Sequence, residues 1–373
     1  MHQDDPAHRV EALVRPSVRR LPLYDPGADP HQLGTPTVIK LSNCENPLGM
    51  SPAAAAMLEH HGGAGLERYP DPSGRALRQL IGGQLDVDPA RVILGNGSEN
   101  ILELLCLALL DPEDRVVTQQ PCFSLHESLP LMMGATVDKV PLNPDFSVNL
   151  QAWATALEQP AKLLMLSTPC NPVGTALSSA ELTALVAAAH PDTLLVIDEA
   201  YFEFVEDAAD ALAILDAQSR PWIILRTFSK AYGLAGLRIG YGIASHRSLI
   251  DALHRVRTPY NVNQPAQEAA KAAWLDPQHV IRSREFVAIE RQRLTQGLQA
   301  AGFRVAPSQA NFLFIDTACN ALEVVDELLK DGIIVKAWRE PGYTSFIRVS
   351  LGLAQQNQAF LASLQRAVAT LAG

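Results

Sequence analysis

Residues 227–242 read TFSKAYGLAGLRIGYG, and this stretch is the strongest indication of fold and chemistry in the chain. The residues just before it, 222–225, are WIIL, an apolar run that predicts a buried β-strand. Lys230 therefore stands at or just past the end of a core strand. A lysine in that place is partly removed from water, which lowers its pKa and makes the amine nucleophilic enough to form a Schiff base.

The neighbours of Lys230 are suited to holding a phosphate. Thr227 and Ser229 offer hydroxyls, and Arg238 offers a guanidinium within a glycine-rich segment. A cofactor with one aldehyde and one phosphate, pyridoxal 5'-phosphate (PLP), would use both features. The alternative interpretation is a surface lysine after a strand, because lysines are mostly exposed.

The composition is that of an ordinary globular protein with little affinity for polyanions. The chain has 373 residues, of which 47% are hydrophobic and 19% are charged, and its formal net charge is -10. Because no basic stripe is present, we expect neither nucleic acid nor a membrane as a partner.

The cysteines and the N-terminus indicate where the protein works. Cys44, Cys106, Cys122, Cys170 and Cys319 are scattered without a CxxC pair. An odd and sparse set favours a reducing compartment and lacks the close ligand pairs of a zinc site, so we expect no metal. The polar N-terminus does not look like a signal peptide, and no apolar run reaches the roughly 18 residues of a bilayer span. We therefore expect a cytoplasmic protein.

Apolar segments alternate with helical patterns through the first two thirds of the chain. Strands are predicted at 92–94, 115–118, 162–167, 194–198, 222–225 and 237–244, and helices at 98–110 and 178–190. A capping box of Ser178 and Glu181 opens the second helix. Strands that are apolar throughout and separated by helices predict an α/β fold, with a mostly parallel sheet covered by helices. In such sheets the ligand lies beyond the carboxyl ends of the strands.

The pattern changes after about residue 264. An amphipathic helix is predicted at 279–300, followed by strands at 312–315, 333–335 and 346–349. This pattern predicts a smaller α+β domain. The domains we expect are an N-terminal arm at 1–36 that packs with the small domain, a large PLP-binding domain at 37–264 and the small C-terminal domain at 265–373.

A second candidate phosphate site lies between a strand and a helix. Gly97, Ser98 and Glu99 belong to the segment GNGSEN at 95–100. Glycine lets the backbone approach a phosphate, and the start of a helix offers free N–H groups and a positive dipole end. Asn100 breaks the GxGxxG pattern of dinucleotide sites. Taken on its own, the segment favours the alternative interpretation of an N-capped turn.

Residues at other strand ends could hold a flat ring. Asp198 could pair with a protonated pyridine nitrogen or serve only as an N-cap. Tyr201 and Asn171 could face the phenolic oxygen of the cofactor; a core tyrosine and a plain turn are the alternatives. Phe123 could stack on the ring or simply pack in the core. Arg348 lies in an apolar strand and needs an anionic partner, either a substrate or a structural carboxylate.

In this order along the chain, these residues resemble the fold-type I PLP enzymes, and within them the histidinol-phosphate aminotransferase group. The likeness covers nearly the whole sequence. The motifs similar to those of the group are LPLYDPG at 21–27, LSNCENPLG at 41–49, RYPD at 68–71 and the lysine segment at 227–242.

The resemblance implies a large PLP-binding domain, a small domain and a set of site residues. Catalytic roles are implied for Lys230, Asp198 and Tyr201. Cofactor contacts are implied for Gly97, Ser98, Glu99, Phe123, Asn171, Asp198, Tyr201, Thr227, Ser229, Lys230 and Arg238, with the partner subunit's Tyr69 reaching the phosphate. Substrate contacts are implied for Tyr24, Asn171, Lys336 and Arg348. A site shared between two chains requires a homodimer.

Three residues depart from the pattern of the group. Cys170 stands where the group commonly has a first Asn, and Cys44 replaces its usual Ala or Ser. Lys336 stands where histidinol-phosphate enzymes carry a second arginine. Lysine is a point charge and not a planar fork, so bidentate phosphate recognition is weaker.

The function predicted is that of a PLP-dependent aminotransferase. It would move an amino group from histidinol phosphate or a related amino acid to a 2-oxo acid, 2-oxoglutarate by resemblance. One alternative is a PLP-dependent decarboxylase or lyase of the same fold, for example one acting on threonine phosphate. Another is a PLP-binding regulator without activity, against which the sequence shows no appended helix-turn-helix pattern.

Overall fold

The computed structural model describes residues 6–23, 27–28, 38–63 and 65–372. The strands are β1 (Ile39–Lys40), β2 (Val92–Gly95), β3 (Arg115–Gln120), β4 (Thr136–Pro141), β5 (Leu163–Ser167), β6 (Leu194–Asp198), β7 (Trp222–Thr227), β8 (Gly240–Ala244), β9 (Arg304–Val305), β10 (Phe312–Asp316), β11 (Ile333–Ile334), β12 (Lys336–Ala337) and β13 (Phe346–Ser350).

The helices flank these strands on both sides. They are α1 (Pro6–Leu13), α2 (Pro16–Arg19), α3 (Pro52–His61), α4 (Arg75–Leu85), α5 (Ser98–Leu109), α6 (Leu125–Met133), α7 (Leu150–Leu157), α8 (Ser179–Ala188), α9 (Ala211–Asp216), α10 (Arg247–Val256), α11 (Gln264–Trp274), α12 (Pro277–Ala300), α13 (Ala321–Lys330) and α14 (Ala354–Ala372). Short 3₁₀ helices occupy Pro89–Arg91, Phe202–Phe204 and Ala235–Leu237.

Seven strands form what we call the large sheet, in the order β2-β8-β7-β6-β5-β3-β4. Strand β8 is antiparallel to both of its neighbours, and every other pair is parallel. The prediction of a mostly parallel sheet in an α/β fold is therefore confirmed. The parallel order points the carboxyl ends of β3, β5, β6 and β7 to one edge.

The central strands are apolar on both faces because both faces are covered. In β5, Leu164 and Leu166 pack into the core on one side, while Leu163 and Met165 pack into the core on the other. Side chains alternate across a strand, so an uninterrupted apolar run serves two cores at once. The predicted capping box is present at the start of α8: the Ser178 hydroxyl accepts from the backbone N–H of Glu181, and the Glu181 carboxylate accepts from the backbone N–H of Ser178.

Four antiparallel strands form the small sheet, in the order β12-β13-β10-β9. The single strand predicted at 333–335 is wrong in one respect. It is two short strands, β11, which pairs with β1 in a separate two-stranded sheet, and β12, which joins the small sheet. Val335 lies between them and is buried, so its apolar side chain hides the break from a pattern search.

The N-terminal arm is described only in part. Helix α2 lies against α6, where the hydroxyl of Ser17 donates to the backbone oxygen of Met132 at 3.0 Å. Residues 29–37 fall outside the described ranges, and the predicted packing of the arm with the small domain stays a prediction, as do the domain limits. Among the described residues, no helix has the length and apolar character that crossing a membrane would require.

Candidate active site

A cavity of about 540 Å³ opens at the carboxyl ends of the large-sheet strands. Its lining comes from the ends of β6 and β7, the loop after β5, the start of α5 and β13 of the small sheet. The predicted residues in this lining are Gly97, Ser98, Glu99, Phe123, Asn171, Asp198, Tyr201, Thr227, Ser229, Lys230, Arg238 and Arg348. The fold thus brings segments that are distant in sequence to the sheet edge where a ligand is expected.

Lys230 follows the end of β7 and lies in the cavity with its amine anchored. Its Nζ donates to the backbone oxygen of Asn43 at 2.9 Å and lies 5.5 Å from the centre of the Tyr201 ring. Burial lowers the pKa of Lys230, and the positive charges of Arg348 and Arg238 lower it further. More of the amine is therefore neutral near pH 7, which is the form that attacks a carbonyl.

The start of α5 forms a cradle for an anion. Gly97 has φ of 83° at the N-cap position, and no side chain caps the helix. A Cβ at Gly97 would lie 2.7 Å from Nη2 of Arg238, so glycine is what lets the guanidinium approach this turn. Arg238 itself has a left-handed φ of 57°. Its Nη2 donates to the Glu99 carboxylate.

Two hydroxyls line the cavity beside this cradle. The backbone N–H of Ser229 donates to Thr227 Oγ1 at 3.1 Å, and the two side-chain oxygens lie 3.0 Å apart. Together with Arg238 and the helix start they supply the donors that a phosphate needs. The Glu99 carboxylate has the same sign of charge as a phosphate, so the two would compete for the Arg238 guanidinium.

Asp198 ends β6 as a buried carboxylate. One oxygen accepts from the backbone N–H of Ala200 at 3.1 Å, and the other lies 3.2 Å from Nε2 of His126. His126 is on α6, buried, with its ring edge-on to Phe123 at 5.7 Å between centroids. A buried carboxylate held in this way keeps a fixed position for a protonated ring nitrogen.

Tyr201 and Asn171 both line the cavity. Tyr201 is 5% exposed, and burial raises the pKa of its hydroxyl well above the ordinary value, so it stays a donor. Its ring packs edge-on against Phe312 at 4.9 Å. The side-chain oxygen of Asn171 accepts from Nη1 of Arg348 at 2.6 Å, and its amide nitrogen carries the N–H donors.

Arg348 on β13 connects the small sheet to the cavity. Its Nη2 donates to the backbone oxygen of Ser42 at 2.7 Å, and its Nε is buried with no hydrogen-bond partner among the described residues. The β12–β13 register places Lys336 directly opposite Arg348. Two cations facing each other across antiparallel strands repel, and a buried unpaired N–H is costly. An anionic ligand would relieve both.

The remaining predicted residues do not line this cavity. Tyr69 is 79% exposed and stacks on Tyr260, with ring centroids 4.4 Å apart. Lys336 is on β12, opposite Arg348. Tyr24 lies outside the described residues, so its predicted role stays a prediction.

Other residues of this region were not predicted as site members. Asn43 and Glu45 line the cavity, and both belong to the LSNCENPLG motif, which was noted only as a resemblance. His126 follows Phe123 by three residues, at the start of a helix. That spacing could have suggested a shared face.

The groups present fit PLP. An amine with a lowered pKa, an anion cradle, a buried carboxylate and a phenol donor surround one cavity. Phe123 at the wall offers a flat apolar surface for the ring. These assignments of individual contacts remain proposals.

Comparison with known proteins places these features in a family context. The family described as "Aminotransferase class I and II" matches residues 36–364. The chain is 43% identical over 358 residues to histidinol-phosphate aminotransferase 3 of Rhizobium meliloti, covering 94% of this chain and 96% of that one. It is also 43% identical to histidinol-phosphate aminotransferase 1 of Mesorhizobium japonicum, covering 96% and 99%.

A solved structure of a histidinol-phosphate aminotransferase also matches this chain over most of its length. The crystal structure of histidinol-phosphate aminotransferase from Sinorhizobium meliloti in complex with pyridoxal-5'-phosphate is similar with a TM-score of 0.88. The sequence identity is 27%, and the match covers 95% of this chain and 97% of that chain.

Proposed function

Because the chain belongs to the class I and II aminotransferases and transfers amino groups with PLP, we propose that its donor carries an anionic end, that histidinol phosphate is this donor, and that 2-oxoglutarate is the acceptor. The observation that carries the proposal is the pair formed by Arg348 and Lys336. They face each other across β12 and β13, and Arg348 keeps a buried Nε without an acceptor. The relatives described above, which are histidinol-phosphate aminotransferases, support the same donor.

The residues of this chain supply binding and proton transfer. PLP bound through its aldehyde to a lysine supplies an electron sink for the charge that develops at the substrate carbon. We assign Lys230 as that lysine and as the base that moves the proton, because its lowered pKa favours the neutral amine and the backbone oxygen of Asn43 can accept from that amine. Asp198, bonded to His126, is assigned to the ring nitrogen, and Tyr201 to the phenolic oxygen.

The phosphate of PLP is assigned to the cradle at the start of α5. Gly97, Ser98 and Glu99 would act through their backbone, and Thr227, Ser229 and Arg238 through their side chains. Phe123 would cover the ring. Arg348 would bind the acid group of the substrate, with Asn171 held in place by the same guanidinium.

The active form is proposed to be a homodimer in which the partner subunit's Tyr69 completes the phosphate site. The exposure of Tyr69 and its absence from its own cavity support this. Lys230→Ala and Tyr69→Ala variants, each impaired alone, are expected to recover activity when they are mixed and refolded together. In a mixed dimer, one site has both native residues. A mixture no more active than its components would contradict a shared site.

The cytoplasm is the proposed location. The five cysteines, all among the described residues, form no disulfide, which suits a reducing compartment.

A donor screen tests the proposed function. PLP-loaded protein is given 2-oxoglutarate and one donor at a time, and glutamate is measured. Histidinol phosphate is expected to give the highest kcat/KM, and histidinol, which lacks the phosphate, a much lower one. Arg348→Gln should reduce the difference in kcat/KM between the two donors, because it removes one cation that would bind the phosphate of histidinol phosphate. A kcat/KM for histidinol equal to that for histidinol phosphate would contradict the proposal, as would a failure of every donor to give glutamate.

A further inference from the structure

Glu340 lies between the large-sheet part and the small-sheet part of the molecule, outside the cavity. It follows β12 in the chain, and its side chain is 15% exposed. One carboxylate oxygen accepts from the backbone N–H of Cys122 at 3.2 Å and from Nε1 of Trp338 at 2.7 Å. The other accepts from Nζ of Lys139 at 3.1 Å.

The donors to Glu340 come from both parts of the molecule. Lys139 is on β4, Cys122 is in the loop after β3, and Trp338 follows β12. A second bond lies alongside, from Nε2 of Gln120 to the backbone oxygen of Pro341 at 3.3 Å. The buried N–H of Cys122 is therefore satisfied by the small-sheet part and not by its own sheet.

The same cluster has the outline of a metal site, but its charge is already balanced. Ligand atoms of Cys122, Glu127 and Glu340 lie within 4.8 Å of one another. The ammonium of Lys139 is 2.9 Å from Glu127 and 3.1 Å from Glu340, and it supplies the positive charge that the two carboxylates need. Burial and the nearby carboxylates raise the pKa of the Cys122 thiol, so it stays protonated. The arrangement is that of a structural joint.

Two residues assigned to the active site adjoin this joint. Phe123 directly follows Cys122, and Lys336 lies on β12, directly opposite Arg348. We propose that Glu340 is a positioning residue that fastens the Phe123 loop to strand β12, and so fixes the separation between the cofactor ring and the anionic end of the donor. The functional meaning of Phe123 and Lys336 rests on the proposed function, whereas the contacts of Glu340 do not.

Removal of Glu340 has a defined cost. Without it, the Cys122 N–H and Trp338 Nε1 lose their acceptor, and Lys139 keeps only Glu127. A buried donor without a partner destabilises the closed contact, and separation of the two parts exposes it to water. The loop and the strand then move independently of each other.

The test compares Glu340→Ala with Glu127→Ala in the PLP-loaded protein. Each variant removes one carboxylate from Lys139, but Glu127 makes its bond within the large-sheet part, so it is the matched control. Hydrogen exchange of the Cys122 amide, followed by mass spectrometry, reports the joint directly. The KM and kcat of the donor report its effect on the site.

For Glu340→Ala we expect exchange at Cys122 and the donor KM each to rise about tenfold, the size of one buried donor left unpaired, with kcat changed far less. Glu127→Ala should change neither to that extent. Glu340→Gln keeps an acceptor oxygen but loses the ion pair, so its exchange rate at Cys122 and its donor KM should fall between those of the wild type and the alanine variant. If the alanine variant does not fold, Glu340→Gln takes its place in the test.

Wild-type exchange and wild-type KM in the Glu340 variants would overturn the proposal. Faster exchange with an unchanged KM would also overturn it, because the joint would then be structural only. Should the donor screen show no transamination at all, the exchange measurement still decides whether the joint exists, and the failure would lie with the proposed function.

Discussion

The substitution Gly97→Ala probes the phosphate cradle at its tightest point. Gly97 has φ of 83°, where an L-residue is strained, and a Cβ there would lie 2.7 Å from Nη2 of Arg238. Gly236 lies in the same cavity wall, has open space around its Cβ position and no such φ, so Gly236→Ala is the control. Comparing the two variants separates the cradle from the general effect of adding a methyl group.

Gly97→Ala is expected to lower both the free energy of unfolding and the affinity for PLP. The backbone of Gly97, with φ of 83° and ψ of 161°, costs an alanine about 1–3 kcal/mol, which appears as a lower free energy of unfolding. Displacing Arg238 removes a charge-assisted hydrogen bond to the phosphate, worth about 1.5–3 kcal/mol. The affinity for PLP should therefore fall about 10- to 150-fold.

The assay is a titration of the cofactor-free protein with PLP, followed by absorbance, with urea unfolding in parallel. Gly236→Ala is expected to match the wild type in both measurements. If Gly97→Ala bound PLP as tightly as the wild type, or if Gly236→Ala were weakened as much, the assignment of this turn to the phosphate would be refuted.

Three further outcomes are expected. Asp198→Ala should lower kcat about 10²- to 10³-fold, as loss of one placed electrostatic partner does, and an unchanged kcat would exclude the assigned role. Burial raises the pKa of Glu203 from 4.5 to about 7. Between those pH values only the unfolded chain loses this proton, so the free energy of unfolding of the wild type should fall by about 3 kcal/mol from pH 4 to 8. Glu203→Gln should not show this loss in urea unfolding, and equal losses in the two proteins would count against the raised pKa. Ser178→Ala should reduce the free energy of unfolding by about 1 kcal/mol through loss of the cap on α8, measured in the same way, and no change would show that the cap is not needed.

The parts of the fold that follow from local pattern were predictable. The strand before Lys230 is apolar on both faces, and its burial pattern needs no knowledge of the partner strands. The α8 cap was predictable because Ser178 and Glu181 are close in sequence. Gly97 and Arg238 were candidates by residue type, although their left-handed backbone, on which the cradle depends, is seen only in the structure.

Contacts made over long distances in sequence could not be predicted in this way. The oxygen that holds the Lys230 amine belongs to Asn43, 187 residues away. The partner of Asp198, on strand β6, is His126 on helix α6, and a buried histidine alone indicates no such contact. Glu340 carries no motif; its importance lies in donors from β4 and from the loop after β3. The contacts of such residues can be identified only in the folded structure.

The most direct test of the central claim is chemical capture at Lys230. Purified protein is incubated with PLP, reduced with borohydride, digested and examined by mass spectrometry, with Lys230→Ala treated in parallel. We expect the wild-type peptide containing residue 230 to carry the reduced cofactor and the variant to carry none there. A wild-type peptide without the cofactor, or label found only on other lysines, would contradict it.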